Sequence, residues 1–172
     1  AIRRVHPDIF VDEDIPYVNG LYELQKGETI KVMTWVHNNA RQECGGANFA
    51  QNTVVEVDWS DPEAIISSIS ASNATPRKIN DQVKVSYKGD YTLELLSSTL
   101  VERIDPDGTP TGIECGSTNQ GWQSRSVTSN GVDSTMASFN FGSVAASYGS
   151  MKVLVTQFKV VEKDRDFKIT KT

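Results

Sequence analysis

The chain has 172 residues, of which 38% are hydrophobic and 23% charged, and its formal net charge is −5. That length fits a single domain, which we place at residues 1–172, and it suffices to bury a core without metal ions. An acidic chain without a local lysine and arginine cluster repels nucleic-acid phosphates, and no apolar run reaches membrane-spanning length. These properties exclude nucleic acid as a partner and exclude a membrane span.

Strand signals recur along the chain, and no window shows the 3.6-residue periodicity of an amphipathic helix. Alternating apolar residues bounded by turn residues predict strands at residues 29–37, 51–59, 64–70, 82–87, 91–96, 135–141 and 150–161. We expect 82–87 and 91–96 to form a hairpin across Lys88-Gly89-Asp90. The run 150–161 is apolar on both faces in its first half, so it is predicted to be the longest strand and to lie centrally.

The alternation also predicts which side chains are buried. In residues 29–37, one face carries Ile30, Val32, Thr34 and Val36, and the other carries Trp35. In residues 51–59, Val55, Val57 and Trp59 share a face. We expect both Trp35 and Trp59 to be packed rather than exposed, because a large indole is usually largely buried.

About eight short strands without a helix to carry a crossover predict an antiparallel two-layer β-sandwich. A closed barrel is the competing architecture. The polar stretch 116–134 is predicted to be a long surface loop or an irregular edge excursion.

Both ends of the chain read as extended segments with apolar residues among charges. The segments are 1–17 and 163–172, and their apolar side chains include Val5, Ile9, Phe10, Val11, Phe167 and Ile169. Each end is either an edge strand of its own sandwich or an assembly segment that adds to the sheet of a neighbouring molecule.

Two cysteines, Cys44 and Cys115, stand in the same local setting, Glu-Cys-Gly, in predicted loops. Two cysteines in a polar domain of secreted character usually pair, so we predict a disulfide and an extracellular location. The alternative is two unrelated free thiols. Neither cysteine belongs to a CxxC pair, which argues against a zinc or thioredoxin-type site.

Several segments resemble the repeat domains of prokaryotic cell-surface proteins. They are GETIKV at 27–32, WVHNNA at 35–40, AQNTVVEV at 50–57, ISASNATP at 69–76, and the pair FGSV at 141–144 and MKVLV at 151–155. The resemblance covers residues 25–161 and implies an immunoglobulin-like sandwich on a bacterial or archaeal surface, with a structural or adhesive role. It supplies no catalytic residues. The cysteine pair and the stretch 116–134 depart from the usual pattern of the family.

The residues needed for catalysis are scarce. The chain has two histidines, His6 and His37, and no G-x-S-x-G segment. Nucleophilic catalysis requires a nucleophile, a base and an orienting acid, and no such set is recognisable. We therefore predict that the protein is not an enzyme and that His37 has a structural role.

Acidic residues in predicted loops raise the question of Ca²⁺. Asp105 and Asp107 precede Gly108, and Asp58 lies near Asp61 in the sequence. Calcium needs six to eight oxygen ligands, and the sequence supplies only part of that number. A plain Asp-Gly turn accounts for the same residues, so calcium is the lesser interpretation and no other cofactor is indicated.

Trp122 suggests an alternative function. It lies in a polar segment with Asn119, Gln120 and Gln123, where an indole ring and amides could bind a polysaccharide. The competing interpretation is an indole that fastens the loop to the sandwich. The sequence thus predicts an extracellular structural or adhesive module, a subunit or repeat of a surface filament, surface layer or adhesin that self-associates. A carbohydrate-binding module is the alternative.

Overall fold

The computed structural model describes residues 2–4, 21–38, 49–103, 122–145 and 152–163. Those residues form eleven strands: β1 Ile2–Arg4, β2 Leu21–Glu23, β3 Thr29–Val36, β4 Ala50–Asp58, β5 Ala64–Ser70, β6 Lys78–Ser86, β7 Tyr91–Arg103, β8 Trp122–Ser126, β9 Val132–Asp133, β10 Met136–Val144 and β11 Lys152–Glu162. Within these ranges, the chain has no helix that is long and apolar enough to cross a bilayer.

The strands form two sheets that pack against each other. The five-stranded sheet has the order β1-β3-β11-β7-β8, and the six-stranded sheet has the order β2-β6-β5-β4-β10-β9. The predicted all-β, two-layer architecture is therefore confirmed, and the barrel alternative is wrong. One pairing departs from the predicted antiparallel order, because β2 runs parallel to β6. Parallel neighbours need a long crossover, and β2 meets β6 only after three intervening strands.

The core lies between the sheets and contains the side chains that the alternation predicted. Ile30, Val32 and Val36 of β3 are buried, as are Val55 and Val57 of β4. Trp59 is also buried, and its ring meets that of Phe158 edge-on at a centroid distance of 4.9 Å. Such a contact stabilises the core beyond the area it buries.

The position of the 150–161 strand was predicted correctly, but its rank in length was not. β11 lies between β3 and β7, and its residues from Lys152 to Thr156 are all buried. β7 is longer, with 13 residues against 11 in β11. The extra length of β7 arises because it pairs with β11 along most of its course and with β8 at its far end.

The predicted hairpin across Lys88-Gly89-Asp90 is wrong. β6 belongs to the six-stranded sheet and β7 to the five-stranded sheet, so this turn carries the chain from one layer to the other. Gly89 has a φ of +106°, a conformation that favours glycine in either kind of turn. Both strands contribute apolar residues to the same core. The residues of the turn are compatible with a hairpin and with a connection between layers, so they do not predict which of the two forms.

The strand directions give the sandwich two distinct ends. Each end is named after a connection that it carries. β3, β7 and β10 finish at the β3–β4 end, and β4, β8 and β11 begin there. The β3–β4, β7–β8 and β10–β11 connections therefore all start from that end. At the β6–β7 end, the turns at residues 59–63 and 87–90 join β4 to β5 and β6 to β7.

Candidate functional site

The outer edge of β6 is the clearest candidate for an interaction site. β5 pairs with β6 from Lys78 to Lys84, whereas β2 covers only residues 84–86 on the opposite side. Residues 78–83 therefore have no strand on that side in the part of the chain that the structure describes. We call this side of residues 78–83 the open edge.

Hydrogen bonds at the end of β6 show which main-chain groups face the open edge. The N–H of Val85 donates to the carbonyl of Glu63 on the β5 side at 2.8 Å, whereas the carbonyl of Ser86 accepts from Leu24 on the β2 side at 2.8 Å. Because these directions alternate along a strand, Asn80 and Gln82 present their N–H and C=O groups to the open edge.

The Asp81 side chain partly protects this edge. Its carboxylate accepts a hydrogen bond from the N–H of Gln82 at 2.8 Å, so one outward donor is satisfied locally. Charged residues on edge strands limit indiscriminate pairing. The N–H of Asn80 has no such side-chain partner among the described residues, which leaves it available to an incoming strand.

A groove of about 470 Å³ lies beside the open edge at the β3–β4 end. Its apolar lining includes Val36, Ile69 and Ile79, and Ile79 is 55% exposed. Ile79 is in register with Ile69, on the inner face of its sheet. Although it faces inward, its side chain is left largely open to solvent at the rim of the groove.

The open edge carries more positive than negative charge. Lys78 and Asp81 lie within it, and Arg77 and Lys84 flank it at either end. Lys78 forms an ion pair with Glu56 across the outer face of the sheet at 2.7 Å. The remaining cations favour an acidic segment as the binding partner of this edge.

A buried ion pair lies on the inner face of the five-stranded sheet. The ammonium of Lys152 donates to Glu102 at 2.5 Å, and the guanidinium of Arg125 donates to the other carboxylate oxygen at 3.1 Å. Burial tends to raise the pKa of Glu102, but the two cations outweigh it and lower the pKa below its usual 4.5. No nucleophile accompanies these charges within the described ranges, and their geometry indicates a structural role.

Trp122 lies at the start of β8, opposite Arg103 in the register. It packs with Met33 against the buried cluster of Val101, Val153 and Val155, which faces away from the main core. Gln123 is exposed and, by strand alternation, projects from the opposite face. The carbohydrate site predicted at Trp122 would therefore need polar partners other than Gln123.

Trp35 differs from its predicted burial. It lies opposite Val153 on that same outer face and is 41% exposed. The alternation placed it correctly on the face opposite Ile30 and Val32. The expectation of packing was wrong because the outer face leaves this indole partly open to solvent.

The acidic residues considered for calcium have local structural roles where they are described. The Asp58 carboxylate accepts from the N–H of Ser60, and Asp61 accepts from the N–H of Glu63, both at 2.8 Å. These bonds are Asx turns at the β4–β5 connection. Among the described residues, no group of three or more His, Cys, Asp or Glu is placed to hold a metal ion.

Several predicted site residues lie outside the described ranges, and their predictions stand as made. They are Cys44 and Cys115 of the disulfide, Asn119 and Gln120 of the carbohydrate site, Asp105 and Asp107 of the calcium site, and the terminal residues Val5, Ile9, Phe10, Val11, Phe167 and Ile169.

Sequence reasoning did not identify the open edge, although a signal for it exists. Asp81 occupies a position of β6 that faces inward by alternation, in register with Ser67 of β5. A charge at an inward position is typical of an edge strand. That single residue distinguishes β6 from the apolar inner strands of the same sheet.

No protein-family description, curated protein or solved structure matched this chain in the three comparisons that we made.

Proposed function

We propose that the protein is an extracellular structural or adhesive module with an immunoglobulin-like sandwich, a subunit or repeat of a prokaryotic surface filament, surface layer or adhesin. It acts by self-assembly through strand addition. The open edge of β6 is the observation that carries this proposal, because it offers main-chain groups that no described strand pairs, beside an apolar groove.

The occupant of the edge is residues 8–14 of a second copy of this chain, which lie in the connection between β1 and β2. Residues 8–14 read DIFVDED and contain four carboxylates around Ile9, Phe10 and Val11. Their negative charge complements Arg77 and Lys84 at the edge. In a strand, Ile9 and Val11 lie on one face, and that face suits the groove that contains Ile69 and Ile79.

The relative position of β3 and β7, from which the two cysteine-containing connections start, supports the extracellular assignment. The connection that contains Cys44 starts from β3, and the one that contains Cys115 starts from β7. Both strands finish at the same end of the five-stranded sheet, separated only by β11. Adjacent strands are about 4.8 Å apart, so the two connections start about 10 Å from each other, and each has enough residues to bring its cysteine to the roughly 6 Å Cα separation that a disulfide requires.

The test is a proline substitution that removes one outward donor. Asn80→Pro eliminates the main-chain N–H that faces the open edge, while the bonds between β6 and β5 stay intact. Asn80→Ala is the matched control, since it removes the side chain and keeps the donor. Sedimentation equilibrium and negative-stain microscopy should show concentration-dependent oligomers for the parent protein and for Asn80→Ala, with association at least about tenfold weaker for Asn80→Pro.

Thermal unfolding of each variant controls for a loss of folding, and Gln82→Pro at the next outward position serves as a second edge variant. A parent protein that stays monomeric at all concentrations would overturn the proposal. So would folded proline variants that assemble as well as Asn80→Ala.

A further inference from the structure

A second groove lies at the β6–β7 end, away from the apolar groove beside the open edge. It has a volume of about 670 Å³, within the range of small-ligand sites. We call it the tyrosine groove, and its lining includes Glu63, Lys84, Tyr87, Asp90, Tyr91 and Lys163.

Hydrogen bonds hold the walls of this groove in place. The Tyr91 hydroxyl donates to the carbonyl of Pro62 at 2.8 Å, which ties the start of β7 to the β4–β5 turn. The N–H of Lys163 donates to the carbonyl of Asp90 at 2.9 Å, which fixes the β6–β7 turn to the end of β11. A groove formed in advance binds ligand without paying the entropy of ordering its walls.

Two aromatic rings line the groove together. The centroids of Tyr87 and Tyr91 are 5.0 Å apart, and their planes are tilted by 54°. Both side chains are half-buried and pack against the main core, so their remaining ring surface is presented to the groove. The exposed face of a phenol ring offers an apolar surface on which the C–H groups of a ligand ring can pack.

Four charged side chains of the groove, two of each sign, have no side-chain partner among the described residues. The side chains of Glu63 and Asp90 can accept hydrogen bonds, and those of Lys84 and Lys163 can donate them. None of the four makes a side-chain hydrogen bond or ion pair with another described residue. A polyanion would be repelled by the carboxylates, including that of Asp61, whereas a neutral hydroxyl both donates and accepts.

We infer that the tyrosine groove binds a neutral saccharide, with a pyranose ring against Tyr87 and Tyr91 and its hydroxyls bonded to the surrounding carboxylates and ammonium groups. This site adjoins the open edge, because Gln82 and Lys84 of β6 also line the groove, and it does not include Trp122. The inference does not depend on the self-assembly of the protein.

The test is calorimetric titration of the full chain with soluble neutral hexasaccharides of glucose, mannose, galactose and N-acetylglucosamine. At least one of them should bind. Tyr87→Ala should weaken that binding about tenfold, and Tyr87→Phe, which keeps the ring, should change it by less than about twofold.

Further variants locate the site and separate this inference from the assembly proposal. Trp122→Ala should leave saccharide affinity unchanged, and Asn80→Pro should leave it unchanged even if assembly is lost. The absence of binding by all four sugars at millimolar concentration would overturn the inference. A loss of affinity in Trp122→Ala with none in Tyr87→Ala would also overturn it and would move the site to the indole.

Discussion

Glu102 shows how a single buried charge is accommodated in this sandwich. Its side chain and that of Lys152 are each only 8% exposed, and they lie side by side on β7 and β11. Taking both charges out of water costs several kcal/mol, so the pair stabilises the fold only while both partners are present. Arg125 supplies the remaining bond from the solvent side, where it is 59% exposed.

Glu102→Gln should destabilise the protein by about 3 kcal/mol at neutral pH, because it leaves the Lys152 ammonium buried without a counter-charge. Urea unfolding followed by circular dichroism measures this difference. The matched control is Glu162→Gln, which removes the exposed pair with Lys26 and should cost less than about 1 kcal/mol. Equal effects of the two substitutions would contradict the structural role of Glu102.

The Glu102–Lys152 ion pair also makes the stability of the protein depend on pH. The pKa of Glu102 is lower in the folded protein than its usual 4.5, so its contribution to stability is complete above that pH. The contribution is lost as the pH falls through the lowered pKa of the folded state. The stability difference between the parent protein and Glu102→Gln should therefore shrink in acid.

At the scale of elements, the two layers are joined by a polar contact as well as by the core. The hydroxyls of Thr34 in β3 and Ser67 in β5 lie 2.7 Å apart, on the inner faces of opposite sheets. Thr34 is 6% exposed, so its hydroxyl has little access to water. Alternation predicted that Thr34 faces inward, but only the packing of the sheets shows which residue it meets.

Thr34→Val should cost about 1–2 kcal/mol, because it leaves the Ser67 hydroxyl without its partner. The double variant Thr34→Val with Ser67→Ala should recover much of that loss, since neither hydroxyl then remains unpaired. Chemical unfolding of the four proteins in this cycle measures the coupling. Additive losses would show that the two hydroxyls do not depend on each other.

At the scale of the whole molecule, the two ends of the sandwich differ in their connections. The β3–β4 end carries the connections that contain Cys44 and Cys115, whereas the β6–β7 end carries short turns and the tyrosine groove. The open edge runs between the two ends. The proposed assembly edge and the proposed ligand groove are therefore neighbouring surfaces that meet at Gln82 and Lys84.

A Cys44–Cys115 disulfide would link the two connections that start from β3 and β7. Peptide mapping of the native protein after alkylation should find both cysteines unmodified and joined, and reduction should release both for labelling. Replacing both by serine should lower stability by about 4 kcal/mol, because the bond closes a loop of about 70 residues in the unfolded chain. Complete alkylation of the unreduced protein would show free thiols instead.

The sequence by itself determined the all-β class, the alternating burial of β3 and β4, and the central position of β11. Period-two alternation and a run that is apolar on both faces are local patterns, and local patterns fix which face of a strand is buried. Tertiary structure alone decided that the turn at Gly89 joins two layers, that β2 runs parallel to β6, and that Ile79 remains exposed. Those features depend on which strands become neighbours, and strand neighbours are chosen by packing across the core, which no local pattern encodes.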